Sequence, residues 1–166
     1  ARAEIDRMLA SFQFGGAHLE PPAARDGRYC DQRLGFSYQP PEGQVRCTFF
    51  WIAAGDPDRP EFVGYLALRH SLTPGLLEEG GNIGYAVRPS RRGEGHGSRA
   101  LVLALGEAAA LGLDRVLLTA DDDNRASWRV IEAAGGVLED TRNGMRRYWI
   151  TTVGSTPRPS ASGTPA

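Results

Sequence analysis

Residues 91–105, RRGEGHGSRALVLAL, set Gly93, Gly95 and Gly97 on alternate positions, behind Arg91 and Arg92 and ahead of an apolar run. A residue without a Cβ takes positive φ freely, and its neighbours' N–H groups can converge on a ligand with no side chain in the way. The apolar run predicts a helix from near Ser98, and the N–H groups that open a helix lack intrahelical partners. The macrodipole there favours an anion by roughly 0.3–1 kcal/mol. The chemistry indicated is that of a phosphate cradle, with Arg92 adding a charge-assisted hydrogen bond and Arg91 and Arg99 as weaker candidates. The same spacing also suits a tight strand-to-helix turn with incidental surface arginines.

The surroundings narrow the phosphate ligand. A Walker A loop needs Lys and then Ser or Thr after its last glycine, and Gly97 is followed by Ser98 and Arg99. A dinucleotide fingerprint needs G-x-G-x-x-G, and the last interval here is wrong, although the acidic run from Asp121 keeps that alternative open. A formal charge of -1 and a pI near 6.4 provide no overall attraction to nucleic acid or an anionic membrane. No apolar stretch approaches the ~20 residues that span a bilayer. Cys30 and Cys47 form no CxxC, and with no signal-type segment the expectation is a cytoplasmic chain with free thiols. Three scattered histidines and two distant cysteines offer no metal-ligand spacing, so no metal is expected.

The elements that must position the loop follow from periodicity. Ile5, Met8, Leu9 and Phe12 predict a short helix from Glu4, and residues 15–43 read as loop with one further helical turn. From Val45, VRCTFFWIAA and FVGYLALRH predict two strands joined by the DPDRP turn. PGLLEEGG breaks the pattern before a third strand, NIGYAV, which should stop near Val87 because Pro89 cannot donate to a ladder. After the loop, Leu101, Ala104, Leu105, Ala108 and Leu111 predict one buried helical face with Gly112 beyond its end. DRVLLTA predicts a strand, ASWRVIEAA a helix stopped at Gly135, and GGVLED and MRRYWIT a hairpin across the Asn-Gly of TRNG. The Ser-, Thr- and Pro-rich 152–166 reads as a flexible tail behind a single domain spanning 1–151.

At this point VRPSRRGEGHGSRAL resembles the coenzyme A signature of the GNAT superfamily of N-acetyltransferases, with Arg92, Gly95 and Gly97 in its defining positions. DNRASWRVIEAAGG is similar to that family's second motif, in which an Asn closing a strand opens a helix, and Asn124, Ser127 and Gly135 fit it. The resemblance extends over roughly residues 62–151. It implies an α/β (α+β) fold with a central mixed, mostly antiparallel splayed β-sheet flanked by helices, and acetyl-CoA as cofactor. The strand ending at Val87 would diverge from the one ending at Ala120. Backbone groups of Ala86 and Val87 would bind the pantetheine arm, loop N–H groups from Arg92 through Gly93, Gly95, His96 and Gly97 to Ser98 would hold the pyrophosphate, and Asn124 would reach the cofactor from the other side. Asn124 equally suits a plain helix N-cap.

The implied activity is direct transfer of acetyl from acetyl-CoA to a primary amine of a small molecule or protein, which needs a base for the amine and an acid near the thiolate. Many relatives carry a Tyr acid where this chain has Ile131. Ser127 is then the substitute candidate, as in the branch resembling ribosomal-protein alanine acetyltransferases, unless no protein acid is used. Glu79, before the third strand, is the first candidate base, directly or through a water, with Glu78 and His70 as rivals. Tyr85 and His70 are candidates for lining the acceptor site. Glu94 sits where its charge should weaken phosphate binding unless it points outward. Family members begin with a strand, so a first strand missing or supplied by a partner is expected, which leaves room for a homodimer. Two other readings stay open: a non-catalytic GNAT-fold module that binds CoA or a protein partner, and a nucleotide-binding α/β domain.

Overall fold

The computed structural model describes residues 45–56 and 59–152. The predicted helix from Glu4, the loop over 15–43 and the tail beyond Thr152 lie outside the described residues. Thr152 itself is anchored: it is buried, its N–H donates to the Asp114 carbonyl, and its hydroxyl donates to that of Leu113.

The β-branched and aromatic run forms β1, Cys47–Ala54, two residues later than its first apolar position, and β2 is Glu61–Arg69. They pair antiparallel, and β2 pairs antiparallel with β3, Ile83–Val87. Cross-strand partners share a face, so Phe50, Leu66 and Tyr85 stand in one row. Gly64 lets β2 and β3 approach, because a Cβ there would lie 2.1 Å from the Ala86 carbonyl oxygen. Between β2 and β3 the pattern break is a short helix, α1, Pro74–Glu78. Its signals are local: Thr73 accepts from the Leu76 N–H at 3.2 Å, and Pro74 opens the first turn.

Helix α2 runs over His96–Ala110, starting two residues before Ser98. Leu101, Ala104, Leu105 and Ala108 are buried as the periodicity predicts, and α2 lies against β2, β3 and β4. Leu111 instead is 47% exposed, because it is the C-cap and the chain turns away at Gly112, φ +80°. Strand β4, Arg115–Asp121, leads into α3, Arg125–Ala133, which Gly135 stops at φ +90°. β5, Val137–Arg142, and β6, Met145–Thr151, join through Asn143 and Gly144, both at positive φ as a tight hairpin turn requires.

The sheet is divided. One half has strand order β1-β2-β3, the other β4-β6-β5, and every ladder is antiparallel. Asn82 joins the halves. Its N–H donates to the Leu117 carbonyl (2.7 Å), its Oδ1 accepts from the Leu117 N–H (2.8 Å), and its Nδ2 donates to the Arg69 carbonyl (3.1 Å). Gly81 makes that approach possible, since a Cβ would stand 2.3 Å from the Leu117 oxygen. Beyond this seam no ladder links β3 to β4, which is the splay that the resemblance implies.

Candidate functional site

The open side of the split leads to the glycine loop. Gly93 and Gly95 have φ of +81° and +78°, and Gly95 is the N-cap of α2 with no side chain to cap it. The first intrahelical bond is from the Arg99 N–H to the Gly95 carbonyl (3.1 Å), so the N–H groups of His96, Gly97 and Ser98 have no intrahelical acceptor. Three consecutive donors at the positive end of a fifteen-residue helix make an anion cradle.

Charged side chains brace this loop. Arg91 grips the Glu94 carboxylate through Nε (3.0 Å) and Nη2 (2.9 Å) and also pairs with Glu61, which pairs in turn with buried Arg88. The Arg91 guanidinium holds the Glu94 carboxyl below its ordinary range, with His96 adding a smaller share. Glu94 thus stays a carboxylate, ion-paired with Arg91. His96 is buried, with Nε2 3.2 Å from Glu94 and Nδ1 3.1 Å from Arg99 Nη2. An arginine only donates, so Nδ1 accepts and Nε2 carries the proton in the neutral ring. Arg99 also donates to the Glu94 carbonyl at 2.9 Å. Arg91 and Arg99 thus serve the loop's shape, and His96 offers the cradle its backbone alone.

At the end of β3, antiparallel alternation decides which peptide groups face the split. The Arg88 N–H donates to the Val63 carbonyl (2.9 Å), which makes Val63/Arg88 and Tyr65/Ala86 the hydrogen-bonded pairs. The Ala86 backbone therefore faces β2, and the peptide groups of Tyr85 and Val87 face away from it. This corrects the Ala86 assignment. Arg92 is exposed and donates from Nε to the Val87 carbonyl at 3.0 Å, so its guanidinium sits at the junction of strand and loop.

Tyr85 lies beneath the first turn of α2. A Cβ at Gly97 would be 3.2 Å from Tyr85 Cε2 and 3.8 Å from Val87 Cγ2, so the missing side chain is what admits the ring. The Tyr85 hydroxyl is buried and has no hydrogen-bond partner among the described residues. Burial pushes its pKa up, and Ser127 on the first turn of α3 is close enough to temper the rise without completing a well-formed hydrogen bond. Asn124 is the N-cap of α3, its Oδ1 accepting from the Ser127 N–H at 3.2 Å, which leaves its amide hydrogens for another partner. Ile131 is in the core, 1% exposed, and presents no polar group to the split.

The base candidates are dispersed. Glu79 is exposed at the closed end of the split, next to Gly80, whose N–H donates to the Thr119 hydroxyl at 2.9 Å. Glu78 pairs with Arg142 at 3.1 Å. His70 is held by the Thr48 hydroxyl, 2.8 Å from Nε2, at the far end of β2. Glu79 and Ser127 sit on different flanks of the split, and the His70 ring is turned to Thr48 on β1. Glu61, Asn82 and Thr119 escaped the sequence reading: a polar residue at a strand end carries no periodic signal, and only the Gly-Gly before Asn82 hinted at a close approach.

Cys47 is half-buried, and its surroundings disfavour the thiolate. Burial pushes its thiol up to about 12, against a smaller lowering by Arg69. In a Cys30→Ser chain, a disulfide reagent at pH 8 is expected to label Cys47 at least about tenfold more slowly than the urea-unfolded chain; equal rates would contradict its burial. Among the described residues no group of His, Cys, Asp or Glu is placed to hold a metal ion, and no helix is long and apolar enough to cross a membrane.

The residues present fit a cofactor that carries phosphates and continues as a narrow arm: an uncapped helix start, positive-φ glycines, a Glu94 held in an ion pair with Arg91, and a buried hydroxyl farther along β3 without a well-formed hydrogen bond. The comparisons agree. No curated protein matches the chain. Among solved structures it is similar to Mycobacterium smegmatis RimJ in complex with CoA-disulfide, at 30% identity and TM-score 0.50 over 64% of this chain and 53% of that one. The ribosomal-protein-S5-alanine acetyltransferase from Vibrio fischeri is similar at 19% identity and TM-score 0.50, over 64% and 62% of the two chains. So is yncA from Salmonella typhimurium, solved with its cofactor acetyl-CoA, at 17% identity and TM-score 0.50 over 69% of each. The chain thus spans about half the length of the Mycobacterium protein. The acetyltransferase (GNAT) domain family matches residues 10–137, a stretch that contains the glycine loop, the split and α3, and the chain belongs to this family, whose members use acetyl-CoA.

Proposed function

We propose that this chain is an acetyl-CoA-dependent N-acetyltransferase acting on a primary amine of a small molecule or protein, by direct transfer with both substrates bound. The observation that carries the reading is the uncapped start of α2 at the open end of the β3/β4 split. Bound acetyl-CoA supplies an acetyl group on a thioester, an acyl donor whose leaving group is a thiolate. The N–H groups of His96, Gly97 and Ser98, with the Gly93–Gly95 backbone, hold the pyrophosphate. Arg92 adds positive charge at the junction, the Val87 peptide N–H faces the cofactor arm, and the free amide hydrogens of Asn124 reach it from α3. The cradle would fix the register of the arm, and the Tyr85 and Val87 peptide groups, which face away from β2, would be available to it. Glu79 takes the acceptor's proton, directly or through a water, at the closed end of the split. With Ile131 in the core, the hydroxyl that α3 offers toward the split is that of Ser127.

The test is release of CoA thiol from acetyl-CoA across a panel of primary amines and N-terminal peptides. Wild type is expected to turn over at least one acceptor, and Glu79→Gln to lower kcat by about 100-fold or more with acetyl-CoA affinity retained. Full activity in Glu79→Gln would remove Glu79 as the base. Binding of acetyl-CoA with no transfer to any acceptor would favour the non-catalytic module.

A further inference from the structure

The leaving group still needs a donor. Where many relatives have a Tyr on the helix after the Asn, this chain has a core isoleucine. Ser127 is only half-buried and its N–H already serves the cap of α3. Another hydroxyl lies deeper. Tyr85 projects from β3 in the row of Phe50 and Leu66, its ring wedged under Gly97, with its oxygen buried, the Ser127 hydroxyl near it, and no well-formed hydrogen bond among the described residues. Native proteins leave few buried polar atoms without a good hydrogen bond, and one between the two helix starts that flank the split is suited to take its partner from a ligand. The polar side chain near it is that of Ser127, on the first turn of α3. Burial keeps the phenol protonated at neutral pH, as a donor must be.

Resting on the acetyl-CoA reading above, we propose that the Tyr85 hydroxyl, between the first turns of α2 and α3, hydrogen-bonds and protonates the leaving sulfur. Tyr85 thereby moves from the acceptor side to the leaving-group side of the reaction. As the acceptor nitrogen bonds to the acetyl carbon, the carbon–sulfur bond breaks and its electron pair stays on sulfur, which takes the Tyr85 proton. The tyrosinate is reprotonated through the Ser127 hydroxyl, which draws a proton from water. The proton shed by the acceptor nitrogen passes to Glu79 and then to water, so amine plus thioester becomes amide plus thiol with no net proton change.

The experiment needs no acceptor. CoA is bound to the full chain, and the ultraviolet absorbance of its thiolate is followed against pH in wild type and Tyr85→Phe. In wild type the bound thiol is expected to titrate about one to two units below free CoA, the shift one charge-assisted hydrogen bond produces. In Tyr85→Phe it should return to within about half a unit of free CoA, with binding retained and the apo melting temperature no lower than wild type. Equal thiol titration in the two bound proteins overturns the proposal and leaves the acetyl-CoA reading standing. Failure of folded wild type to bind CoA removes both, a result distinct from the first. Should Tyr85→Phe not fold, 3-fluorotyrosine at position 85 preserves the shape and makes the phenol more acidic. The bound thiol should then titrate lower still, and an unmoved titration overturns the proposal.

Discussion

Gly95→Glu is expected to weaken acetyl-CoA binding at least about 100-fold while leaving the chain folded, a loss of ~3 kcal/mol. Two effects add. Gly95 sits at φ +78°, where a residue with a Cβ costs about 1–2 kcal/mol, so the cradle relaxes away from the geometry that points its N–H groups together. The new carboxylate then lies at the mouth of an anion site, where apposed like charges cost several kcal/mol. Steric exclusion is minor, because the added Cβ would meet only Arg99 Nη1, at 3.1 Å, the tip of a flexible side chain. Gly95→Ala carries the strain without the charge and should fall between wild type and Gly95→Glu. Calorimetric titration with acetyl-CoA, beside thermal melting of each variant, checks this. Wild-type affinity in Gly95→Glu would move the phosphates off this loop.

The second large effect concerns the fold. Asn82→Ala is expected to destabilise the chain by about 2–5 kcal/mol, since it strands the Leu117 N–H and the Arg69 carbonyl in a buried seam, and each unsatisfied buried group costs roughly 1–3 kcal/mol. Against a typical stability of ~5–15 kcal/mol, that is a large fraction. Asn82→Asp restores the acceptor for Leu117 but sets a carboxylate oxygen against the Arg69 carbonyl, and should not rescue. Urea unfolding reads the change. A loss below ~0.5 kcal/mol, the scale of an ordinary surface substitution, would mean that the half-sheets do not depend on this side chain.

These two positions mark how much was legible beforehand. Gly95 was found from sequence because its signal is local: alternate glycines before an apolar run have few physical meanings. The same holds for the β1–β2 hairpin, the stop at Val87, the buried face of α2 and the Asn143–Gly144 turn, each written in neighbouring residues. Asn82 was missed because its hydrogen-bond partners, Arg69 and Leu117, are distant in sequence and lie on either side of the seam. Alternation along β3 faces the Ala86 backbone toward β2, which a motif cannot reveal without the register of the neighbouring strand. Glu94 reads as a misplaced charge in one dimension and as a brace in three, since Glu61, which orders its partner Arg91, lies far upstream. The base candidates Glu78 and Glu79 are neighbours of one residue type, and only the fold shows that Glu78 is paired with Arg142, 64 residues downstream.

The most direct measurement is calorimetric titration of the purified chain with acetyl-CoA, beside NAD and ATP. Binding of acetyl-CoA in the micromolar range, with NAD and ATP far weaker, is expected if the uncapped start of α2 and the β3/β4 split form a coenzyme A site. A folded sample that binds no acetyl-CoA, or that prefers NAD or ATP, would contradict that site and the activity proposed from it.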